Sequence, residues 1–170
     1  MVQAHPFDEV VGSMHCFDGL DMYEPTTYDG LTKDQAVRRY LEDSVRCLER
    51  KPDFDSYGHI DYISRYMPYP DPNLYYEDHP ELWDRVFRLL IAGDKALEIN
   101  TRRLGDDSTI PPLMKLYKRF RELGGKYATL GSDAHYKEHV GRDFAKGKQI
   151  ADEAGLTLVY YKERKRMLCE

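Results

Sequence analysis

Apolar residues recur along this chain in two alternating rhythms. Over residues 31–47 they fall at Ala36, Val37, Tyr40, Leu41 and Val45, and the stripe continues to Leu48. That is the spacing of one helix face, and Thr32 stands where an N-cap belongs. The same rhythm predicts a helix over 81–92, with Leu82, Trp83, Val86, Leu89 and Leu90 on one side. Two more helices are expected over 111–123, with proline in the first turn and Gly124 past the end, and over 143–154, stopped by Gly155. Short apolar runs lie between them. Residues 7–11, 54–59, 96–100, 127–131 and 156–161 read as strands. Such alternation predicts an α/β fold, with parallel strands and helices outside them. No repeat, linker or internal boundary interrupts it, so residues 1–170 read as one domain.

The residues that carry chemistry cluster at the C-terminal ends of the predicted strands. Leu130-Gly131-Ser132-Asp133-Ala134-His135 closes the fourth. Asp133 and His135 are two apart, so at an extended strand end both side chains leave on one side. That pair offers a carboxylate oxygen and an imidazole nitrogen to a single metal ion. Gly12-Ser13-Met14-His15 ends the first strand, Gly58-His59-Ile60-Asp61 the second, and Asn100 the third. In a parallel barrel this is the edge where active sites assemble. The set His15, His59, Asp133 and His135 is therefore the candidate metal centre, whereas His5, His79 and His139 read as surface histidines. Glu98 shares a strand face with Asn100 and is expected inside, either holding a ligand histidine or serving as a structural hydrogen bonder. Cys16 is expected to pack in the core.

Composition narrows the function classes. Apolar residues make up 41% and charged residues 32% of the chain, net charge is -5, and mean hydropathy is -0.70 with a pI of about 5.7. That balance argues against nucleic acid and against an anionic membrane surface. No run approaches the roughly 20 apolar residues of a membrane helix, and no secretion signal is seen. Three widely spaced cysteines, Cys16, Cys47 and Cys169, make no disulfide framework and suit a reducing cytoplasm. The stretch Tyr66-Met67-Pro68-Tyr69-Pro70-Asp71-Pro72-Asn73-Leu74-Tyr75-Tyr76 is stiffened by its prolines. It reads as a loop that covers a substrate with its tyrosines, or as a rigid surface loop. Lys162-Glu163-Arg164-Lys165-Arg166 reads as a solvated tail.

Taken in order, Gly12-Ser13-Met14-His15, Gly58-His59-Ile60-Asp61, Leu97-Glu98-Ile99-Asn100-Thr101 and Gly131-Ser132-Asp133-Ala134-His135 resemble the PHP (polymerase and histidinol phosphatase) superfamily, above all its histidinol-phosphatase branch. The resemblance covers most of the chain. It implies a distorted seven-stranded βα barrel, of which this chain would be the C-terminal portion. It also implies two or three divalent ions, of zinc, manganese or iron, and hydrolysis of a phosphomonoester, histidinol phosphate, to histidinol and phosphate in histidine biosynthesis. By the same resemblance His15, His59, Asp133 and His135 would be metal ligands. Arg65 would clamp the phosphate, since a guanidinium can bind two oxygens at once, and Asn100 and Thr101 would bind phosphate or orient a ligand. Arg102 and Arg103 read as solvated. The partner expected is a small phosphorylated metabolite, with no nucleic acid and no membrane.

One departure bears on activity. The family opens with a His-x-His pair on its first strand, followed by a metal-bridging Glu, and neither has a counterpart here. The chain is therefore expected to be N-terminally incomplete and weakly active or inactive alone. An open sheet edge near residues 7–11 would favour self-association or pairing with the missing segment. The alternative is a degenerate, non-catalytic PHP-like module with a metal-binding or structural role.

Overall fold

The computed structural model describes residues 4–169. Its main sheet runs in the order β1 (Val11–Gly12), β4 (Ser56–Tyr57), β5 (Ala96–Asn100), β6 (Tyr127–Gly131), β7 (Thr157–Lys162) and β8 (Lys165–Leu168). Every pairing from β1 to β7 is parallel, and only β7–β8 is antiparallel. Helices α1 (Lys33–Glu49), α2 (Pro80–Ala92), α3 (Ile110–Glu122) and α4 (Phe144–Ala154) fill the connections. The expected α/β fold with a mainly parallel sheet and packed helices is what the chain adopts.

The helix signals act as read. Thr32 caps α1 through a capping box: its hydroxyl accepts the Gln35 N–H, and the Gln35 side chain accepts the Thr32 N–H. Pro80 opens α2, and two prolines lie early in α3. Gly155 ends α4 at φ +71, a turn that a side chain would strain.

Period-two alternation sorts β5 between two faces. Leu97 and Ile99 join the main core with Val37, Tyr40, Trp83, Phe87 and Phe120 from the helices. Ala96 turns the other way, into a small cluster with Val159 and Tyr161, and so Glu98 and Asn100 share that second face. Both are buried.

Several sequence expectations are corrected. The strands expected over 7–11 and 54–59 shrink to two residues each. Side chains and loop bonds replace the ladder there: the Val10 N–H donates to Asp55 Oδ2 at 2.8 Å. Cys16 is exposed rather than packed, because it lies in a small surface hairpin of β2 (Cys16–Phe17) and β3 (Leu20–Asp21). That hairpin turns at Asp18-Gly19, both at positive φ. His79 is buried, with Nε2 3.3 Å from Asp34 Oδ1.

The basic run 162–166 is not a solvated tail. It makes the β7–β8 turn, with Glu163 and Arg164 at φ +50 and +62. The Glu163 N–H donates to Asp8 Oδ1 at 3.0 Å and the Arg164 N–H to Asp8 O at 2.9 Å. Arg164 pairs with Asp53 at 2.7 Å and also with Asp55. Arg166 lies 4.0 Å over the Tyr127 ring. The hairpin thus reaches back to the segment before β1, and the edge expected to be bare near 7–11 is met there at Asp8.

Candidate metal centre

The loops leaving β1, β4, β5 and β6 place their polar residues beyond one edge of the sheet. His15 follows β1, His59 follows β4, Asn100 ends β5, and Asp133 and His135 follow β6. His59 and Asp133 both sit at positive φ, +20 and +47, in backbone that only a well-determined surround maintains. Part of that surround is Glu98. Its Oε2 accepts the His59 backbone N–H at 2.5 Å and the Asn100 side-chain amide at 3.1 Å. Burial raises the Glu98 carboxyl above its ordinary range, against the pull of those two bonds. Gly131 leaves it the space, since a Cβ there would overlap Glu98 Oε1.

The two histidines converge. His15 Nε2 and His59 Nε2 are 3.2 Å apart, and the rings stack with centroids at 5.0 Å. Burial above all, with the charges of Arg65 and His15, pulls the His59 pKa down to about 4. The imidazole is therefore neutral at pH 7, as a metal ligand must be. Its Nδ1 is buried with no partner among the described residues.

Arg65 joins this pair to the β6 end. Its guanidinium donates to Asp133 Oδ2 and, at 3.0 Å, to Asn100 Oδ1. Asp133 also receives Arg102 Nη1 at 3.3 Å. Burial would raise the Asp133 carboxyl, but the Arg65 hydrogen bond and charge, with His59 and Arg102, hold it below the usual range. Asn100 Oδ1 accepts the Arg102 backbone N–H as well, at 3.1 Å, so this amide orients both arginines.

Two predicted residues stand apart. Thr101 is fully buried and donates its hydroxyl to the Arg142 carbonyl at 2.6 Å. It steadies the loop before α4 and, contrary to expectation, turns no hydroxyl to a ligand. His135 is 62% exposed, with Nδ1 2.9 Å from the Asp133 carbonyl oxygen. Arg102 Nη1 lies 3.1 Å from the same Nδ1, so a protonated Nδ1 donates to the Asp133 carbonyl and an unprotonated one accepts from Arg102. His135 lies on the rim of a recess of about 190 Å³, with Arg102, Ser132, Asp133, Tyr136, His139 and Arg142. Among the described residues no three His, Cys, Asp or Glu side chains converge as a donor group.

Sequence reading missed Tyr62 and the reach of the double arginine. Tyr62 packs 4.3 Å from His15 and 4.8 Å from His59. Arg103 is not solvated: it pairs with Asp61 at 2.9 Å and holds Asn73 Oδ1 at 3.0 Å, pinning the proline-rich loop. The only signal was position, two arginines directly after a strand end.

The histidine pair fits two positions around a divalent ion. Two nitrogens bound at 2.0–2.1 Å to one tetrahedral centre lie about 3.3 Å apart, and the histidine pair stands at 3.2 Å. Asp133, now paired with Arg65 and Arg102, would add a carboxylate oxygen and with it the mixed nitrogen and oxygen chemistry of zinc, manganese or iron on turning from those arginines.

Residues 1–102 match the PHP domain family. The chain belongs to that family. It is 39% identical over 160 residues to a probable histidinol-phosphatase of Clostridium acetobutylicum, covering 94% of this chain and 63% of that protein. It is 33% identical over 155 residues to the histidinol-phosphatase of Lactococcus lactis subsp. lactis, covering 91% and 58%. Among solved structures it matches the histidinol phosphate phosphatase of Lactococcus lactis complexed with zinc, L-histidinol and phosphate. That match has a TM-score of 0.88 at 31% identity, over 98% of this chain and 64% of the other. This PHP chain thus spans less than two thirds of the length of these relatives. Among its described residues no helix is long and apolar enough to cross a membrane.

Proposed function

We propose that this chain carries the ligand-bearing edge of a metal-dependent phosphomonoesterase of the histidinol-phosphatase type. The reaction is histidinol phosphate and water to histidinol and phosphate, in histidine biosynthesis. The observation that carries the reading is the 3.2 Å approach of the His15 and His59 nitrogens from two strand ends, beside the Arg65–Asp133 pair. The proposed metal ligands are His15, His59, Asp133 and His135, for zinc, manganese or iron. When bound, such an ion supplies Lewis acidity and makes water acidic enough to yield a nucleophile near neutral pH.

The chain's own residues have separate tasks in this reading. Burial keeps His59 unprotonated, and Glu98 fixes its backbone. Arg65 aims Asp133 and supplies positive charge beside the phosphoryl oxygens, where charge spreads as the ester bond breaks. Asn100 orients Arg65. Thr101 acts through the loop it holds. We take residues 1–170 as one PHP-like domain acting in the cytoplasm on a small phosphorylated metabolite, with no nucleic acid or membrane partner.

A second reading, a degenerate metal-binding or structural module, draws on one observation. Two arginines tie up Asp133, and no three donors converge among the described residues. On the same ground, turnover by the purified chain is expected to be slow. Elemental analysis and phosphate release from histidinol phosphate decide between the two. More than one metal equivalent with measurable, metal-dependent release supports the phosphatase. One equivalent or fewer, with no release, supports the module.

A further inference from the structure

The two arginines after β5 part company. Arg102 reaches Asp133 at the site, whereas Arg103 turns inward, its side chain only 15% exposed. Its guanidinium acts as a fork. Nη1 donates to Asp61 Oδ2 at 2.9 Å and Nη2 to Asn73 Oδ1 at 3.0 Å. Its backbone is held as well, since the Arg103 carbonyl accepts the Asp106 N–H at 3.1 Å and the Thr109 hydroxyl at 3.2 Å. Three loops therefore meet at one side chain: the loop after β4, the loop after β5 and the proline-rich segment.

Asp61 connects this junction to the site. It stands between His59 and the short turn Tyr62–Arg65, and its backbone carbonyl accepts the Ser64 N–H at 3.0 Å within that turn. Its carboxylate caps no N–H of the turn and goes to Arg103 instead. At the far end of the turn the Arg65 side chain is nearly buried, and its Nε has no partner among the described residues. Its Nη1 and Nη2 are spent on Asp133 and Asn100. Where that guanidinium sits thus depends on where the turn lies. A buried ion pair adds little net stability over a well-packed apolar pair. What the fork supplies is geometry, because a planar guanidinium holds two acceptors at once in fixed directions.

We infer that Arg103 is a positioning residue for the phosphate end of the site. Through Asp61 it sets the turn that carries Arg65, and it touches neither the proposed metal ligands nor phosphate. Asn73 steadies the same fork from the proline-rich side. This role rests on the phosphatase reading and adds to it that phosphate affinity and metal affinity separate when the fork is lost.

Calorimetric titration with two probes, zinc on the metal-free chain and inorganic phosphate on the zinc-supplemented chain, tests this. Arg103→Lys keeps a charge beside Asp61 but cannot hold both acceptors. It is expected to weaken phosphate binding about tenfold and to leave zinc binding unchanged. A merely structural role would lower both together, in proportion to the folded fraction. Asn73→Ala frees one arm of the fork and is expected to weaken phosphate about threefold. Arg65→Lys weakens phosphate by itself, and adding Arg103→Lys to it should cost nothing more, since both act through one guanidinium. The inference is overturned if Arg103→Lys binds phosphate as the wild type does, if zinc binding falls with it in proportion, or if its loss adds in full to that of Arg65→Lys. Should Arg103→Lys fail to fold, unchanged phosphate binding by Asn73→Ala overturns it equally. In each of these events phosphate binding by the wild type leaves the phosphatase reading standing, whereas a wild type that binds zinc and no phosphate overturns both.

Discussion

Two donors end on one buried carboxylate of β5. Glu98 takes the His59 N–H and the Asn100 amide, so it supports both the histidine pair and the residue that aims Arg65. Glu98→Ala leaves both donors buried and unsatisfied, at about 1–3 kcal/mol each. Urea unfolding should show a loss of that size, and Glu98→Gln, which keeps one acceptor oxygen, should lose less. Equal losses would mean that the charge matters rather than the bonds. His59 gives a second expectation. Its folded pKa of about 4 lies below its ordinary 6.5, so the unfolded chain takes up a proton first as pH falls. Stability is then fully present above pH 6.5 and is lost progressively between 6.5 and 4, by about 3 kcal/mol at most. The metal-free chain should unfold at lower urea at pH 5 than at pH 7, and His59→Gln should flatten that difference. An unchanged pH dependence in the variant would remove His59 as its source. At this scale the sequence showed which residues end strands, since that needs only the alternation of runs. It did not show the fate of the Thr101 hydroxyl, which is decided by a carbonyl 41 residues away.

Among the elements, α1 was the most legible because its signals are local and agree. The apolar stripe, Thr32 and Gln35 lie within one stretch, and the capping box forms. Thr32→Ala removes the acceptor for the Gln35 N–H and should cost about 1 kcal/mol of stability. A thermal unfolding scan measures it, and Thr32→Ser should recover most of the loss. Strands β5 and β6 were equally legible, as uninterrupted five-residue runs. The two-residue strands β1 and β4 were overdrawn because apolar content says nothing about Asp55 taking the Val10 N–H. Strand β8 was missed for a different reason. Its Lys165 and Arg166 suggest solvent, yet Arg166 spreads its guanidinium over Tyr127 and donates to the Asp94 carbonyl at 2.6 Å. Long basic side chains cover apolar surface while keeping their charge satisfied, and a polarity pattern cannot register that.

At the scale of the whole molecule, the two ends of the described chain hold each other. The Glu163-Arg164 turn is strained by positive φ and is retained by its bonds to Asp8, Asp53 and Asp55. This contact covers the sheet edge only below β1. Val11 stays 49% exposed at the edge itself, where strand β1 pairs on one side with β4. An uncovered edge is a template for another chain, so the purified protein is expected to self-associate weakly, and more so when the turn is released. Sedimentation velocity over a concentration series can measure both effects. Val11→Lys places a charge on the edge and should shift the protein toward monomer. Arg164→Ala frees the turn from both aspartates and should shift it the other way, with a stability loss of about 1–2 kcal/mol because Asp55 is left nearly buried without its cation. A wild type that sediments as a monomer at every concentration, with Arg164→Ala behaving identically, would show that the hairpin contact does not guard this edge.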